Sequence, residues 1–178
     1  MEQLRGTTIC AVKKDGKTAI AGDGQVTMQQ SVIFKDNAVK VRRIYNEQVI
    51  IGFAGGVADA FSLCERFEEM LNKYSGNLMR SAVELAQLWR SDKILKNLEA
   101  LMIVASGTEM FMISGVGDVI EPDGDLLVIG SGGEYARSAG LALLENTDFD
   151  AKTIARKSIE IAGKICVFTN DHITLEEV

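Results

Sequence analysis

Several residue types that build common active sites are scarce in this chain of 178 residues, which has one histidine, one proline and three cysteines. Any Ser-His-Asp or Cys-His mechanism would have to use His172, and no GxSxG motif accompanies it. The HExxH motif and Cys/His zinc spacing are also absent, which argues against metal-dependent hydrolysis. Cys10, Cys64 and Cys166 lie far apart and form no CxxC pair, as is typical of a reducing compartment. The sequence therefore predicts a cytoplasmic protein.

Positive charge is also in short supply, because 19 Lys and Arg face 25 Asp and Glu and give a formal net charge of -6. This balance argues against a basic face for nucleic acid or anionic lipid. No run approaches the roughly 18 apolar residues of a membrane span, and residues 1–6 lack the apolar segment of a signal peptide. With 47% hydrophobic residues, the chain is long enough for one well-filled core and too short to need two domains.

Hydrophobic spacing divides the chain into strands and helices. Period-two alternation and turn signals predict strands over these stretches: 7–13, 17–21, 39–45, 48–53, 100–105, 110–114, 118–121 and 126–129. Helical spacing predicts two helices between residues 57 and 97, and two more at 134–145 and 151–164. Residues 25–37 are expected to form a loop or short irregular strands, and 166–168 and 173–175 are candidates to close the sheet. This order predicts two sheets sandwiched between helical layers.

The first predicted strand opens with Thr7 and Thr8, directly after Gly6. Strand propensity alone explains two β-branched residues at this position. A threonine hydroxyl is a poor nucleophile unless a base lies beside it, and cleavage of the Gly6–Thr7 bond would supply the α-amine of Thr7 as that base. This hypothesis divides the chain into a removable leader, residues 1–6, and a single domain, residues 7–178.

Lys40 and Asp23 are candidate charged partners for such a nucleophile. A nearby cation would keep the α-amine of Thr7 neutral and stabilise the alkoxide as it forms. Lys40 lies between two valines in a strand-like run, where its side chain could point inward, although a lysine in a strand is more often solvated. Asp23 lies between two glycines and fits either an ordinary turn or a carboxylate that holds Lys40 and the amine in place.

Two glycine-rich stretches are further candidates. The stretch 52–56 fits a packing turn, or a bare backbone that supplies N–H donors to an oxyanion. The stretch 130–133 precedes a predicted helix and could bind an anion there. It lacks the third glycine of the dinucleotide pattern and has no GK[ST], so we expect no nucleotide on this chain. The Ser131 hydroxyl could instead hydrogen-bond the terminal amine and help to move its proton.

Six strings, in shared order and spacing, resemble the HslV (ClpQ) family, the peptidase subunits of the bacterial ATP-dependent HslUV protease and relatives of proteasome β-subunits. The strings are Thr7-Thr8-Ile9, Ala21-Gly22-Asp23-Gly24-Gln25, Lys40-Val41-Arg42-Arg43, Gly52-Phe53-Ala54-Gly55-Gly56 with Ala58-Asp59-Ala60-Phe61, Ile129-Gly130-Ser131-Gly132-Gly133, and Ala162-Gly163 with Thr169-Asn170. The resemblance covers nearly the whole chain. It implies an α+β fold, the four-layer αββα sandwich of N-terminal nucleophile hydrolases.

The resemblance also implies a role for each candidate residue. Thr7 would be the nucleophile, with its own amine as general base. The supporting residues would be Lys40 as the cation that tunes Thr7, Asp23 as the carboxylate that orients it, Ser131 as the hydroxyl beside the amine, and Gly52 as the oxyanion donor, with Gly55 as the alternative. A sodium ion would be held at the turn of Gly163, Cys166 and Thr169, through backbone carbonyls and not the Cys166 sulfur.

For assembly, the resemblance implies a homododecamer of two stacked hexameric rings that enclose the active sites. Hexamers of the AAA+ ATPase HslU (ClpY) would unfold protein substrates and feed them in, so ATP would be the partner's cofactor. One departure affects processing: many relatives carry only Met before the first threonine, whereas residues 1–6 precede Thr7 here. Methionine removal alone would not expose Thr7, and a chain that keeps residues 2–6 should be inactive.

Two alternatives to an ATP-dependent threonine endopeptidase remain open. One is a small-molecule amidohydrolase of the same nucleophile class, although the chain has little surplus sequence for a substrate-specific lid. The other is a non-catalytic ring subunit whose leader is never removed.

Overall fold

The computed structural model describes residues 4–29, 31–98 and 100–178. Within these residues, stretches with alternating apolar positions fold into twelve strands, and stretches with helical spacing fold into four α-helices. In chain order the strands are β1 (Leu4–Arg5), β2 (Thr8–Lys14), β3 (Lys17–Gly22), β4 (Val26–Met28), β5 (Val32–Lys35), β6 (Val41–Ile44), β7 (Val49–Ala54), β8 (Leu101–Ala105), β9 (Met110–Ser114), β10 (Val119–Ile120), β11 (Leu126–Gly130) and β12 (Thr174–Glu177). The helices are α1 (Val57–Lys73), α2 (Leu78–Ser91), α3 (Gly133–Asn146) and α4 (Ala151–Gly163), and Leu95–Asn97 forms a 3-10 turn.

Two antiparallel sheets form the centre of the fold. One has the strand order β11-β2-β3-β12 and the other β10-β9-β8-β7-β6. Alternation along β2 shows how both faces of a sheet are covered: Ile9 and Ala11 pack against the other sheet, while Cys10 and Val12 pack against helices. Since successive side chains of a strand point to opposite faces, a strand buried on both faces is apolar at consecutive positions.

Helices cover the outer face of each sheet. The helices α1 and α2 pack on the five-stranded sheet through a core that includes Phe67, Leu71, Leu85 and Trp89. On the other side, α4 packs against β2 and β3 through Ile154, Ala155, Ile159 and Ala162, and α3 lies beside it. The predicted sandwich of two sheets between helical layers is confirmed. Among the described helices, none combines the length and hydrophobicity that a bilayer crossing requires.

One candidate strand does not form, and of the two forms expected for residues 25–37, the short irregular strands are the observed one. Residues 166–168, predicted as a possible strand, form a turn, and the sheet is closed by β12 alone. The stretch 25–37 contains β4 and β5, which join β1 in a third, small sheet with the order β1-β4-β5. The predicted leader therefore contributes a strand of its own, in which Leu4 pairs with Met28 and Arg5 with Thr27. Residues 1–3 of that leader lie outside the described residues.

Candidate active site

Lys40 lies directly before β6, and its ammonium group is buried at the centre of a polar cluster. The side chain is 7% exposed, and Nζ lies 3.0 Å from Asp23 Oδ1. Nζ also donates to the Gly6 carbonyl at 2.8 Å and to the Gln25 carbonyl. A protonated lysine has three donors, and all three are used here. Burial lowers the pKa of Lys40 from 10.5, and the charge and hydrogen bond of Asp23 oppose that shift.

Asp23 follows β3 and is fully buried. Its Oδ1 accepts a hydrogen bond from Thr8 N at 2.8 Å, in addition to the one from Lys40. Its Oδ2 accepts hydrogen bonds from Gln25 N at 3.0 Å and Asn170 N at 3.3 Å. An ionised carboxylate only accepts hydrogen bonds, and four donors surround this one. The buried ion pair is therefore fully hydrogen-bonded, as a buried charge must be to avoid a large desolvation cost.

Thr7 lies between β1 and β2, with its hydroxyl against the bond that precedes it. Oγ1 donates to the Gly6 carbonyl oxygen at 2.6 Å, and that same oxygen accepts the hydrogen bond from Lys40. The residue is 6% exposed. The Thr7 hydroxyl and the Lys40 ammonium thus converge on one carbonyl group, that of the Gly6–Thr7 peptide bond.

Ser131 lies in the glycine-rich turn after β11, and its backbone N–H donates to the Thr7 carbonyl at 2.8 Å. This close approach depends on Gly130, because a Cβ at that position would lie 2.0 Å from the Thr7 carbonyl oxygen. Gly130 also has a φ of +95°, which L side chains rarely adopt. The Ser131 side chain is exposed. The structure thus brings Ser131 beside Thr7 as predicted, while the role of its hydroxyl stays a prediction.

A mainly apolar cavity of about 230 Å³ opens beside Thr7 and Lys40. Its apolar walls include Val26, Phe53 and Phe61. Arg42 also lines it, and its guanidinium lies 4.0 Å from the centre of the Phe61 ring. A cavity of this size beside Thr7 can hold a side chain of a bound peptide.

Gly52, predicted as the oxyanion donor, does not line this cavity, whereas Gly55 does. Phe53 N donates to the Lys40 carbonyl on the β6 side. Successive N–H groups of a strand point to opposite neighbours, so the Gly52 N–H points to β8, where Gly52 pairs with Ile103. A Cβ at Gly52 would also lie 2.7 Å from Ile9, inside the core between the sheets. This geometry argues against Gly52 as the oxyanion donor, and the alternative, Gly55, stays a prediction.

Thr8 is a site residue that sequence analysis treated only as the neighbour of Thr7. Its hydroxyl accepts from Gly132 N at 2.9 Å and lies 2.7 Å from the Thr169 hydroxyl. Thr8 is fully buried. It links the first long strand to the glycine-rich turn and to the turn after α4. No motif rule identifies this role, because it depends on two residues more than 120 positions away.

We expect Thr8→Val to destabilise the protein by about 1–3 kcal/mol, because valine keeps the shape but leaves two buried polar partners without the hydroxyl. The measurement is the denaturant midpoint at a fixed protein concentration. Thr108→Val is the matched control, since Thr108 is exposed and surface changes usually stay within about 0.5 kcal/mol. Equal midpoints for the two variants would contradict the structural role of the Thr8 hydroxyl.

Gly163, Cys166 and Thr169, the predicted sodium turn, lie between the end of α4 and β12. Cys166 N donates to the Ala162 carbonyl at 2.8 Å, and Thr169 N donates to the Cys166 carbonyl at 3.1 Å. Among backbone bonds between described residues, none uses the Gly163 or Thr169 carbonyl. These oxygens remain available to a hard cation, which prefers oxygen ligands. Two carbonyls of the turn thus fit a hard cation, and the sodium ion itself stays a prediction.

The fold is that of a proteasome-type subunit, and a family model described as Proteasome, proteasome subunit, matches residues 4–178. The ATP-dependent protease subunit HslV of Caldanaerobacter subterraneus subsp. tengcongensis is 59% identical over 173 residues, which cover 97% of this chain and 98% of that protein. The same subunit of Listeria innocua serovar 6a is 58% identical over 178 residues, 99% of each chain.

A crystal structure of eukaryotic HslV from Trypanosoma brucei superposes with a TM-score of 0.91 at 44% identity, covering 96% of this chain and 98% of that one. The chain belongs to the HslV family, and it is a threonine peptidase subunit.

Proposed function

We propose that this chain is the proteolytic subunit of a two-component ATP-dependent protease and that Thr7, freed of its leader, is the nucleophile. The observation that carries the proposal is the convergence of the Thr7 hydroxyl and the Lys40 ammonium, at 2.6 Å and 2.8 Å, on the Gly6 carbonyl oxygen. The same groups that would cleave the leader are then in place to cleave a peptide bound on the Gly6 side of Thr7.

Leader removal is the first step. The Thr7 hydroxyl oxygen attacks the Gly6 carbonyl carbon, while Lys40 stabilises the negative charge that develops on the carbonyl oxygen. The hydroxyl proton passes to the Thr7 nitrogen as the Gly6–Thr7 amide bond breaks, which leaves Gly6 as an ester on Thr7. Water then hydrolyses this ester, releases the leader with a carboxylate at Gly6 and frees the Thr7 hydroxyl and amine.

We expect Gly6→Ala to slow leader removal by at least about 10-fold, because the reacting carbonyl would shift. Gly6 has a φ of +117°, and a Cβ there would lie 2.9 Å from Thr27 Oγ1. Intact mass recorded over time after synthesis measures the rate. Gly124→Ala is the matched control, since no atom lies within 4 Å of a Cβ at Gly124. Removal at the parental rate in Gly6→Ala would contradict this dependence on geometry.

In the mature subunit, the freed amine of Thr7 takes the proton of its own hydroxyl as the oxygen attacks a substrate carbonyl. Lys40 disfavours a second positive charge beside it and so keeps the amine neutral. The Gly55 N–H, at the edge of the cavity, stabilises the tetrahedral oxyanion. The amine returns the proton to the leaving nitrogen, and water, activated by the same amine, hydrolyses the acyl ester.

The turn of Gly163, Cys166 and Thr169 would hold a sodium ion through its carbonyl oxygens. The ion would supply a fixed positive charge that keeps these carbonyls together. The chain's own contribution is the hydroxyl pair of Thr169 and Thr8, 2.7 Å apart, which connects this turn to the strand that follows Thr7.

The assembly proposed is a cytoplasmic homododecamer of two stacked hexameric rings, fed with unfolded proteins by hexamers of the AAA+ ATPase HslU. The relatives' description as subunits of an ATP-dependent protease supports a separate ATPase. The edge strand β5 presents Val32, Ile33 and Phe34, which are 48%, 61% and 64% exposed. Such a run is unusual on an isolated protein and fits contacts between subunits.

The test combines mass with activity. Intact mass of the assembled protein should show a chain that begins at Thr7. The assembled protein should degrade an unstructured protein only in the presence of the ATPase and ATP. An assembled chain that keeps residues 1–6 would favour a non-catalytic ring subunit. Cleavage of small amides without proteolysis, in the presence of the ATPase, would favour an amidohydrolase. Either outcome would overturn the proposal.

A further inference from the structure

Asn170 bridges the two segments that carry the buried ion pair. Its side-chain Oδ1 accepts from Gly24 N at 3.0 Å, and its Nδ2 donates to the Asp36 carbonyl at 2.7 Å. Its backbone N–H donates to Asp23 Oδ2 at 3.3 Å. One half-buried residue therefore contacts the turn after β3, which contains Asp23, and the segment before β6, which leads to Lys40.

The contacts of Asn170 require an amide side chain in one orientation. Oδ1 faces two backbone N–H donors, those of Gly24 and His172, the latter at 3.2 Å. Nδ2 faces a carbonyl oxygen, that of Asp36. A rotated amide would place donors against donors and an acceptor against an acceptor. An aspartate would keep the acceptor but lose the donor and add a negative charge near Asp23.

The position of Lys40 depends on the segment that Asn170 holds. Asp36 lies four residues before Lys40 in the chain, and its carbonyl also contacts His172 Nδ1 at 2.8 Å. Ala38 N donates to the Gly24 carbonyl at 2.9 Å, so the two segments are also joined directly. A shift of Asp36 away from Gly24 would therefore move Lys40 relative to Asp23.

We propose that Asn170 is a positioning residue of the peptidase reaction, because its amide fixes the segment leading to Lys40 against the turn of Asp23. Asn170 reaches neither Thr7 nor the cavity, so it acts through the ion pair and not on the substrate. The inference rests on the proposed roles of Thr7, Lys40 and Asp23. Its failure is distinguishable from theirs, since an inactive Thr7→Ala beside a fully active Asn170→Ala would overturn the positioning role alone.

The experiment compares Asn170→Ala and Asn170→Asp with the parent in the assembled protein with its ATPase, using a short fluorogenic peptide. A displacement of a catalytic group such as the Lys40 ammonium by about 1 Å can lower the rate by up to about 100-fold. We expect kcat to fall by about 10-fold or more in both variants and KM to change less, because the shift displaces Lys40 while only one wall of the cavity, at Lys35, Ala38 and Val39, belongs to the same segment. Leader removal, which uses the same ion pair, should slow in parallel.

Asn146→Ala is the matched control, since Asn146 is exposed and its amide donates one hydrogen bond to the Ala142 carbonyl at 2.9 Å. Parental kcat in Asn170→Ala would overturn the proposal, as would a loss confined to KM. If Asn170→Ala does not assemble, Asn170→Asp decides: assembly with reduced kcat supports positioning, and assembly with parental kcat contradicts it. Failure of both variants to assemble would assign Asn170 a purely structural role and would also overturn the proposal.

Discussion

Thr7→Ala is expected to lower kcat for peptide cleavage by at least about 10³-fold, because loss of a nucleophile removes the covalent pathway altogether. The variant should also keep residues 1–6, since the proposed cleavage of the Gly6–Thr7 bond uses the same hydroxyl. The fold should tolerate the change, because the Thr7 hydroxyl makes its hydrogen bond to the adjacent Gly6 carbonyl and not to another element. Peptide hydrolysis by the assembled protein and its intact mass measure the two effects.

Thr7→Ser is the matched control for the nucleophile, since serine keeps the hydroxyl and, after cleavage, the α-amine. It should retain leader removal and part of the peptidase activity. Parental cleavage by a pure Thr7→Ala preparation would contradict the assignment of Thr7. A Thr7→Ala chain that loses residues 1–6 would instead show that another protease removes the leader, and it would leave the role of Thr7 in peptide cleavage to the activity measurement.

The sandwich was predictable because burial between its layers imposes a regular spacing of apolar residues on the strands and helices. Alternation in β2 reflects two buried faces, Ile9 toward one layer and Cys10 toward another. The strands of the small sheet β1-β4-β5 show no such regular spacing. All four residues of β5 are exposed, so burial imposes no alternation on them, and the pairing of Leu4 with Met28 is long-range. The sequence wrongly predicts a strand at 166–168, because Val167 and Phe168 favour strands.

The set of Thr7, Lys40, Asp23 and Ser131 was predictable only through the family resemblance. Taken alone, Lys40 also fits a solvated strand lysine and Asp23 an ordinary turn residue. The choice between Gly52 and Gly55 was not predictable, since it depends on which N–H the strand ladder already uses. Asn170 was recognised only as part of a matching string, because its function lies in hydrogen bonds to the backbone of Gly24 and Asp36. Every residue has such backbone groups, so the sequence does not indicate which of them Asn170 contacts.

Lys40→Met is expected to lower kcat by about 10²–10³-fold, the usual effect of losing one group that stabilises developing negative charge. It should also destabilise the fold, because it leaves the fully buried Asp23 carboxylate without its cation. Removing one partner of a buried ion pair costs about 3–5 kcal/mol. Denaturant unfolding at fixed protein concentration and peptide hydrolysis measure the two effects separately.

The double variant Lys40→Met/Asp23→Asn separates the loss of activity in Lys40→Met from its loss of stability. It removes the uncompensated carboxylate, so it should recover part of the stability lost in Lys40→Met while remaining inactive. Lys13→Met is a matched control, since the Lys13 ammonium lies 3.7 Å from the exposed Asp125 carboxylate and such surface pairs contribute about 0–1 kcal/mol. Activity restored in the double variant would contradict the catalytic role of Lys40.

The lowered pKa of Lys40 should make both kcat and the free energy of unfolding depend on pH, and Lys40→Met should abolish this dependence. Burial is the main cause of the shift, and Asp23 opposes it. Because the ammonium must be charged to assist Thr7, kcat should decline on the alkaline side at a pH below 10.5. Stability should change in the opposite direction, unlike in Lys40→Met, since a neutral Lys40 amine still donates hydrogen bonds to Asp23 and the backbone carbonyls, whereas methionine donates none. Between the lowered pKa and 10.5 the unfolded chain binds more protons than the folded one, so the free energy of unfolding rises with pH across that window. A decline in activity with rising stability over the same pH range would distinguish loss of the Lys40 charge from alkaline unfolding.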